Sequence, residues 1–283
     1  MCACGLLYTF RIDLWNIGIE GQMVMGAVFT TGILRMDFGT GMGAAQILAS
    51  IIAGALGGAV WAGVAGFFKT KGGVNEIFAG LGLNFLAQGI TLWLIFGPWK
   101  RKGIASMSGT EVFPKGLWLP YVAELRLSPP ALLIAMTAIV LTALLLLRTK
   151  LGLKLKAVGS NRKAAFILGL KPDRLMIVAM LFAGGFAGLA GSIQVTGVYH
   201  RLIPAISSNY GYLALLIVML ANYNIRLTPF IAFIFACLNV GSIQLPMMLQ
   251  LNSSLAGIIQ GTLVLSVLAV SAMRARVKTE GGQ

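Results

Sequence analysis

Seven polar side chains lie inside or at the edges of otherwise apolar stretches: Asn16, Glu20, Gln22, Asn75, Glu76, Asn84 and Gln88. Polar groups are costly in hydrocarbon, so such residues turn toward a bundle interior or a water-filled cavity. Their chemistry is hydrogen bonding. Amides can donate to and accept from hydroxyls or ring nitrogens, and the carboxylates accept. Trp15, beside Asn16, offers a flat face to a base or a sugar, although an aromatic beside a polar break also serves as an interfacial anchor. For Glu20 and Glu76 there is a plainer alternative, in which each carboxylate sits at a helix N-terminus and offsets the dipole.

The sequence carries no set of residues for covalent catalysis. A single histidine excludes an HExxH zinc site and any multi-histidine metal site. There is no GxSxG elbow, and no GxxxxGK[ST] phosphate loop. Cys2, Cys4 and Cys237 are too few and too scattered for a disulfide framework or a closed zinc site. No catalytic residue, metal site or cofactor is assigned. If ATP drives this protein, another chain must bind it.

The elements that hold the polar residues are hydrophobic. Of 283 residues, 58% are hydrophobic and 11% charged, against about 25% charged in a soluble domain. The fold class expected is all-α, a polytopic transmembrane bundle forming one domain over 1–283. The first fifteen residues carry no basic n-region, so they are not a signal peptide. They read as the tail of a transmembrane helix. Residues 16–22, Asn-Ile-Gly-Ile-Glu-Gly-Gln, read as a break in a helix, with two glycines freeing the backbone; transporters build polar sites at membrane depth in this way. An apolar run continues from there to Leu34. Further crossings are expected at 42–68, 74–97, 129–147, 175–198, 228–249 and 254–273, with a half-crossing at 212–221. That makes eight apolar segments. Residues 99–128 form a long polar connection with interfacial Trp99 and Trp118. Gly54/Gly58 and Gly184/Gly188 have the GxxxG spacing of close helix packing.

The net charge of +14 is concentrated. Residues 148–174 hold eight basic side chains against one acid, Asp173. A short loop this basic lies on the cytoplasmic side. Lys69, Lys71, Arg226 and the tail 274–283 fall on the same side. Topology accounts for this pattern better than phosphate binding does, so no nucleic acid partner is expected. The middle of the loop reads as a short helix, capped by Ser160 or Asn161 and stopped by Gly169. An apolar helix on such a loop suits docking to a soluble partner, while the charge alone is explained by topology.

Three stretches carry a resemblance: LWNIGIEGQMVMGA at 14–27, GGVNEIFAGLGLNFLA at 72–87 and RTKLGLKLKAVGSNRKAAFILGL at 148–170. Together they resemble the membrane permease subunit of a bacterial ABC importer. The superfamily serves branched-chain amino acids, simple sugars and nucleosides, and the first two stretches are most similar to its nucleoside branch. The pattern G-x-N-x-x-A-A-x-x-x-G resembles its ATPase-coupling segment and matches Gly159, Asn161, Ala164, Ala165 and Gly169. The resemblance implies a cytosolic ATPase that uses the ATP, a second and non-identical permease, and an extracytoplasmic substrate-binding lipoprotein, all at the bacterial inner membrane with the C-terminus cytoplasmic. Members carry an additional transmembrane helix and most of a second before the FRxxLWNIG region, here 10–18, so that part of the fold is expected to be absent. The expected function is import of nucleosides. Sugar or branched-chain amino acid import is the alternative within the class, and an ion-coupled carrier or channel without an ATPase is the alternative outside it. The expected path residues are Trp15, Asn16, Glu20, Gln22, Asn75, Glu76 and Asn84.

Overall fold

The computed structural model describes residues 1–36, 43–101, 109–122 and 128–249, with 258, 261, 262, 265 and 266. Its regular structure is helical, with no strand among these residues. The helices are α1 (Cys2–Arg11), α2 (Ile19–Leu34), α3 (Gly43–Thr70), α4 (Glu76–Phe96), α5 (Pro129–Arg148), α6 (Lys150–Ser160), α7 (Arg162–Ile167), α8 (Pro172–Ile193), α9 (Tyr210–Leu220) and α10 (Thr228–Leu249). Helices α3, α4, α5 and α8 with its π-helical extension Gln194–Tyr199 are long and apolar enough to cross a membrane. The expected crossing at 254–273 falls largely outside the described residues. The chain divides into two units, 1–213 and 214–283. The second contains most of α9 and all of α10.

In the first unit, α2 is buried on nearly all sides, as a helix apolar around its circumference must be. It lies against α3 and α8. Where α3 and α8 cross, Gly54 faces Gly188 and Gly58 faces Gly184. A methyl group at Gly188 would overlap the Gly54 carbonyl oxygen, and one at Gly58 would overlap that of Gly184. Lipid offers no hydrophobic drive between helices, so this backbone-on-backbone approach supplies the attraction through dispersion. The GxxxG reading of the sequence is therefore the observed contact. Beside it, the Thr30 and Ser192 hydroxyls lie 2.8 Å apart. Each is also bonded to its own helix, at Gly26 O and Gly188 O, both 2.9 Å away.

The order of contacts makes α3 antiparallel to α8, with Gly54 near Ser192 and Gly66 near Met180. Lys69 therefore shares an end with the start of α8 and the basic stretch. That stretch differs from expectation. It contains two helices, α6 and α7, where one was expected. The sequence conceals α6 because basic residues interrupt it, yet Gly152, Leu155 and Val158 fall on one buried side. Asn161 is the cap: its Oδ1 accepts the Ala164 N–H at 3.0 Å. Ser160 instead donates to Lys156 O at 2.9 Å. Gly169 follows α7 at φ +83°, a left-handed conformation that glycine tolerates.

At the opposite end, the connection expected to be merely polar is tied to the exit of α8. The N–H groups of Thr110, Phe113 and Leu119 donate to Leu202 O, His200 O and Thr196 O, each at 2.9 Å. Trp118 stacks on His200 with centroids 3.8 Å apart and donates to Phe113 O at 2.7 Å. Burial pushes the His200 imidazole below its ordinary pKa, against the bond to Thr196 O, which raises it.

The crossing predicts a steep contrast along one helix. Gly188→Val should cost at least about 1–3 kcal/mol through overpacking against backbone. Gly185→Ala, whose methyl would lie 3.9 Å from Ala55 O, should be nearly neutral. Thermal unfolding in detergent, with size-exclusion profiles, measures both. Equal midpoints for the two variants would mean that the glycine contact does not hold α3 to α8.

Candidate substrate-path site

The chain is non-helical from residue 12 to residue 18, between α1 and α2. Asp13 takes φ +60°, and Leu14 N–H returns to Thr9 O at 2.9 Å. This is the break expected at 16–22, displaced toward the N-terminus, so Glu20 and Gln22 lie in the first turns of α2. Backbone released from a helix at membrane depth needs partners from elsewhere in the protein.

Helix α4 supplies them. Gly80 packs on Gly18, with room for no side chain: a methyl at Gly80 would lie 2.7 Å from Gly18 N. One turn on, Asn84 Oδ1 accepts the Gly21 N–H at 2.8 Å. Its Nδ2 donates to Ile17 O at 3.0 Å and to the Tyr212 hydroxyl at 3.1 Å. Asn16 and Gln22 form a reciprocal amide pair, Nδ2 to Oε1 at 3.0 Å and Nε2 to Oδ1 at 2.8 Å. Glu20 is 1% exposed. Its Oε2 accepts the Gly211 N–H at 2.7 Å, and its Oε1 has no partner among the described residues. The carboxylate thus lies in the first turn of α2 and against the first turn of α9, where two helix N-termini favour negative charge. The dipole alternative and a place in a polar cluster hold together for this residue.

The structure therefore joins Asn16, Glu20, Gln22 and Asn84 in one buried cluster. The other three expected path residues lie elsewhere. Asn75 caps α4, accepting the Ile77 N–H at 2.9 Å. Glu76 pairs with Lys69 at 2.6 Å and bonds the Trp15 backbone. Trp15 is 37% exposed and meets Phe10 edge-on, with centroids 5.5 Å apart. Asn84 lies eight residues beyond Glu76 on α4, about 12 Å at 1.5 Å per residue, so the cluster is well inside a hydrocarbon core of about 30 Å.

Sequence reasoning missed Gly211 and Tyr212 as members of the cluster. Ser208 and Asn209 at positive φ lead into α9, which begins at Tyr210, two residues before the expected start. The signal available was Asn209 followed by Gly211, a turn-prone pair.

The coupling-segment residues have distinct placements. Gly159 abuts the backbone of Arg11 and Ile12, so α6 bears on the end of α1 just before the break. Ala164 donates to the Asn161 cap. Ala165 is 2% exposed and turned inward, so it is not on the free surface of α7. Phe166, Ile167 and Leu168 are the exposed apolar side chains there. An exposed pair, Arg162–Asp173 at 2.6 Å, spans from α7 to α8.

Long apolar helices and a buried, hydrogen-bonding cluster at a helix break are the architecture of a membrane-spanning bundle. Residues 1–268 match the family described as branched-chain amino acid transport system / permease component, and the chain belongs to that family. It is similar to the glucose ABC transporter permease protein TsgB13 of Haloferax volcanii, 29% identical over 90% of this chain and 69% of the relative. It is also similar to two guanosine ABC transporter permease proteins of Bacillus subtilis. NupP is 22% identical over 94% of this chain and 77% of the relative. NupQ is 26% identical over 76% and 69%. No solved structure matches the chain.

Two asparagines at opposite ends of this arrangement should behave differently. Asn84→Ala strands the Gly21 N–H and Ile17 O in the interior, which should cost about 2–4 kcal/mol. Asn75→Ala removes an exposed cap, worth about 1 kcal/mol. Thermal unfolding of the purified variants compares them. Asn84→Ala unfolding at or above the Asn75→Ala midpoint would remove Asn84 as the tie across the break.

Proposed function

We propose that this chain is one permease subunit of an ATP-driven importer of nucleosides in a bacterial cell membrane, with Asn16, Glu20, Gln22 and Asn84 beside the path. The observation that carries this reading is Glu20: a buried carboxylate whose Oε1 is an acceptor without a partner among the described residues. Ribose hydroxyls and base amines are donors of the kind it lacks. The two guanosine permeases among the relatives support a nucleoside. A simple sugar is the second reading. Its hydroxyls would satisfy the same acceptor, and the similarity to a glucose permease favours it. The chain performs no covalent chemistry in either reading and needs no cofactor of its own.

The basic α6–α7 hairpin faces the cytoplasm, as does the tail 274–283, and the ATPase that hydrolyses ATP docks there. Phe166, Ile167 and Leu168 are the apolar contacts it finds. Movement of the hairpin reaches the polar cluster through Gly159, the end of α1 and the break at 12–18. A second, non-identical permease completes the membrane part. An extracytoplasmic binding lipoprotein delivers substrate to the end formed by 109–122 and the exit of α8.

Two experiments test this. Glu20→Gln keeps the size but weakens acceptance of a donor's hydrogen bond. Uptake of radiolabelled guanosine should fall about tenfold, equivalent to about 1.4 kcal/mol, with insertion and ATPase co-purification unchanged. Wild-type uptake in this variant would take Glu20 off the path, and loss of glucose uptake alone would favour the sugar reading. For docking, Ile167→Glu alters a side chain that is 83% exposed, so the fold should persist. An unpaired charge in an interface costs several kcal/mol, so the ATPase should be lost on purification. Lys163→Glu, outside the apolar trio, should be milder. Full ATPase retention by Ile167→Glu would remove α7 as the docking element.

A further inference from the structure

Helix α4 has a second face that the polar cluster does not use. Phe78, Gly82, Phe85, Gly89, Leu92 and Phe96 are all exposed. Their spacing is four, three, four, three, four. That is a 3.5-residue period, the seam of a left-handed helix pair. The Phe78 and Phe85 side chains are 71% and 74% exposed, and they stand beside open glycines. Nothing lies within 4 Å of where a methyl on Gly82 or Gly89 would be. Intrachain packing explains the missing side chain at Gly80, but not at these two positions.

Gln88 stands beside this seam, exposed, and no described residue partners its amide. It lies twelve residues into α4, about 18 Å along it, and so within the hydrocarbon core. Lipid chains cannot hydrogen-bond an amide. Among the described residues, the outward faces of α3 and α5 lack such a group. On α3 the exposed Leu48, Ile52, Leu56 and Val60 are all aliphatic. On α5 the exposed Thr137 hydroxyl is satisfied by Leu133 O at 2.7 Å. Those faces suit lipid, and the α4 face suits a protein helix.

We propose that this face of α4 is the interface with the second permease subunit, which lays a transmembrane helix along it. The partner helix has bulky apolar side chains over Gly82 and Gly89 and a hydrogen-bonding side chain opposite Gln88. The assignment rests on the two-permease importer reading above, and the two guanosine permeases of one organism among the relatives fit it. A soluble partner could not reach a surface at this depth.

The test uses the tagged full chain in its native membranes. A photo-crosslinking amino acid replaces Phe85, or Leu133 on α5 as the control, and the adducts are identified by mass spectrometry. Phe85 should join a second permease of the same family, while Leu133 should capture lipid. Gly82→Ile with Gly89→Ile should lower the second permease recovered per tagged chain at least tenfold, with the variant chain still inserted and monodisperse. The interface is overturned if Phe85 captures only lipid, a non-permease protein or residues 250–283 of its own chain. It is also overturned if the isoleucine variant recovers the partner at the wild-type ratio. When the wild-type chain retains its ATPase, either result leaves the importer reading standing. A wild-type chain that brings down neither ATPase nor second permease ends both.

Discussion

Hydrogen bonding across the break at residues 12–18 is the constraint on which the rest of this structure depends. A chain that leaves helical geometry inside an apolar bundle exposes donors and acceptors that lipid cannot meet. Asn84 meets several of them at once, bonding Gly21 N–H, Ile17 O and the Tyr212 hydroxyl. For it to reach them, α4 must approach without side chains in the way. Gly18 and Gly80 allow that approach. Glu20 in turn holds the first turn of α9 through Gly211. The starts of α2 and α9 are thus organised by two side chains.

The membrane class, the position of the long helices and the glycine crossing were legible in the sequence because each is a local or periodic signal. Apolar length announced α3, α4, α5 and α8, and GxxxG spacing announced the contact of Gly54/Gly58 with Gly184/Gly188. The cluster was legible in part. Intramembrane polarity singled out Asn16, Glu20, Gln22 and Asn84. It could not separate them from Asn75 and Glu76, since rarity in an apolar run says nothing about which helix end a residue occupies. A cap and an ion pair absorb those two. Gly211 escaped notice because it contributes a backbone N–H, which every residue but proline carries. The burial of Ala165 was not legible, because a small residue in a basic loop has no periodic context to orient it.

The α6–α7 hairpin and the polar cluster share a short connection. Gly159 on α6 touches the Arg11 and Ile12 backbone, and Asn16 stands four residues after Ile12. A displacement of the hairpin therefore acts first on the non-regular segment that the polar residues occupy. Such a segment can change its dihedral angles without breaking a helical ladder.

The interlock of α3 with α8 carries a different consequence. Backbones that touch through glycine cannot slide past one another, because each step along the axis would drive a neighbouring side chain into a carbonyl. With α2 wedged against both and its Thr30 hydroxyl meeting Ser192, these three helices form one closely packed block. A force applied to any one of the three is therefore shared by the other two.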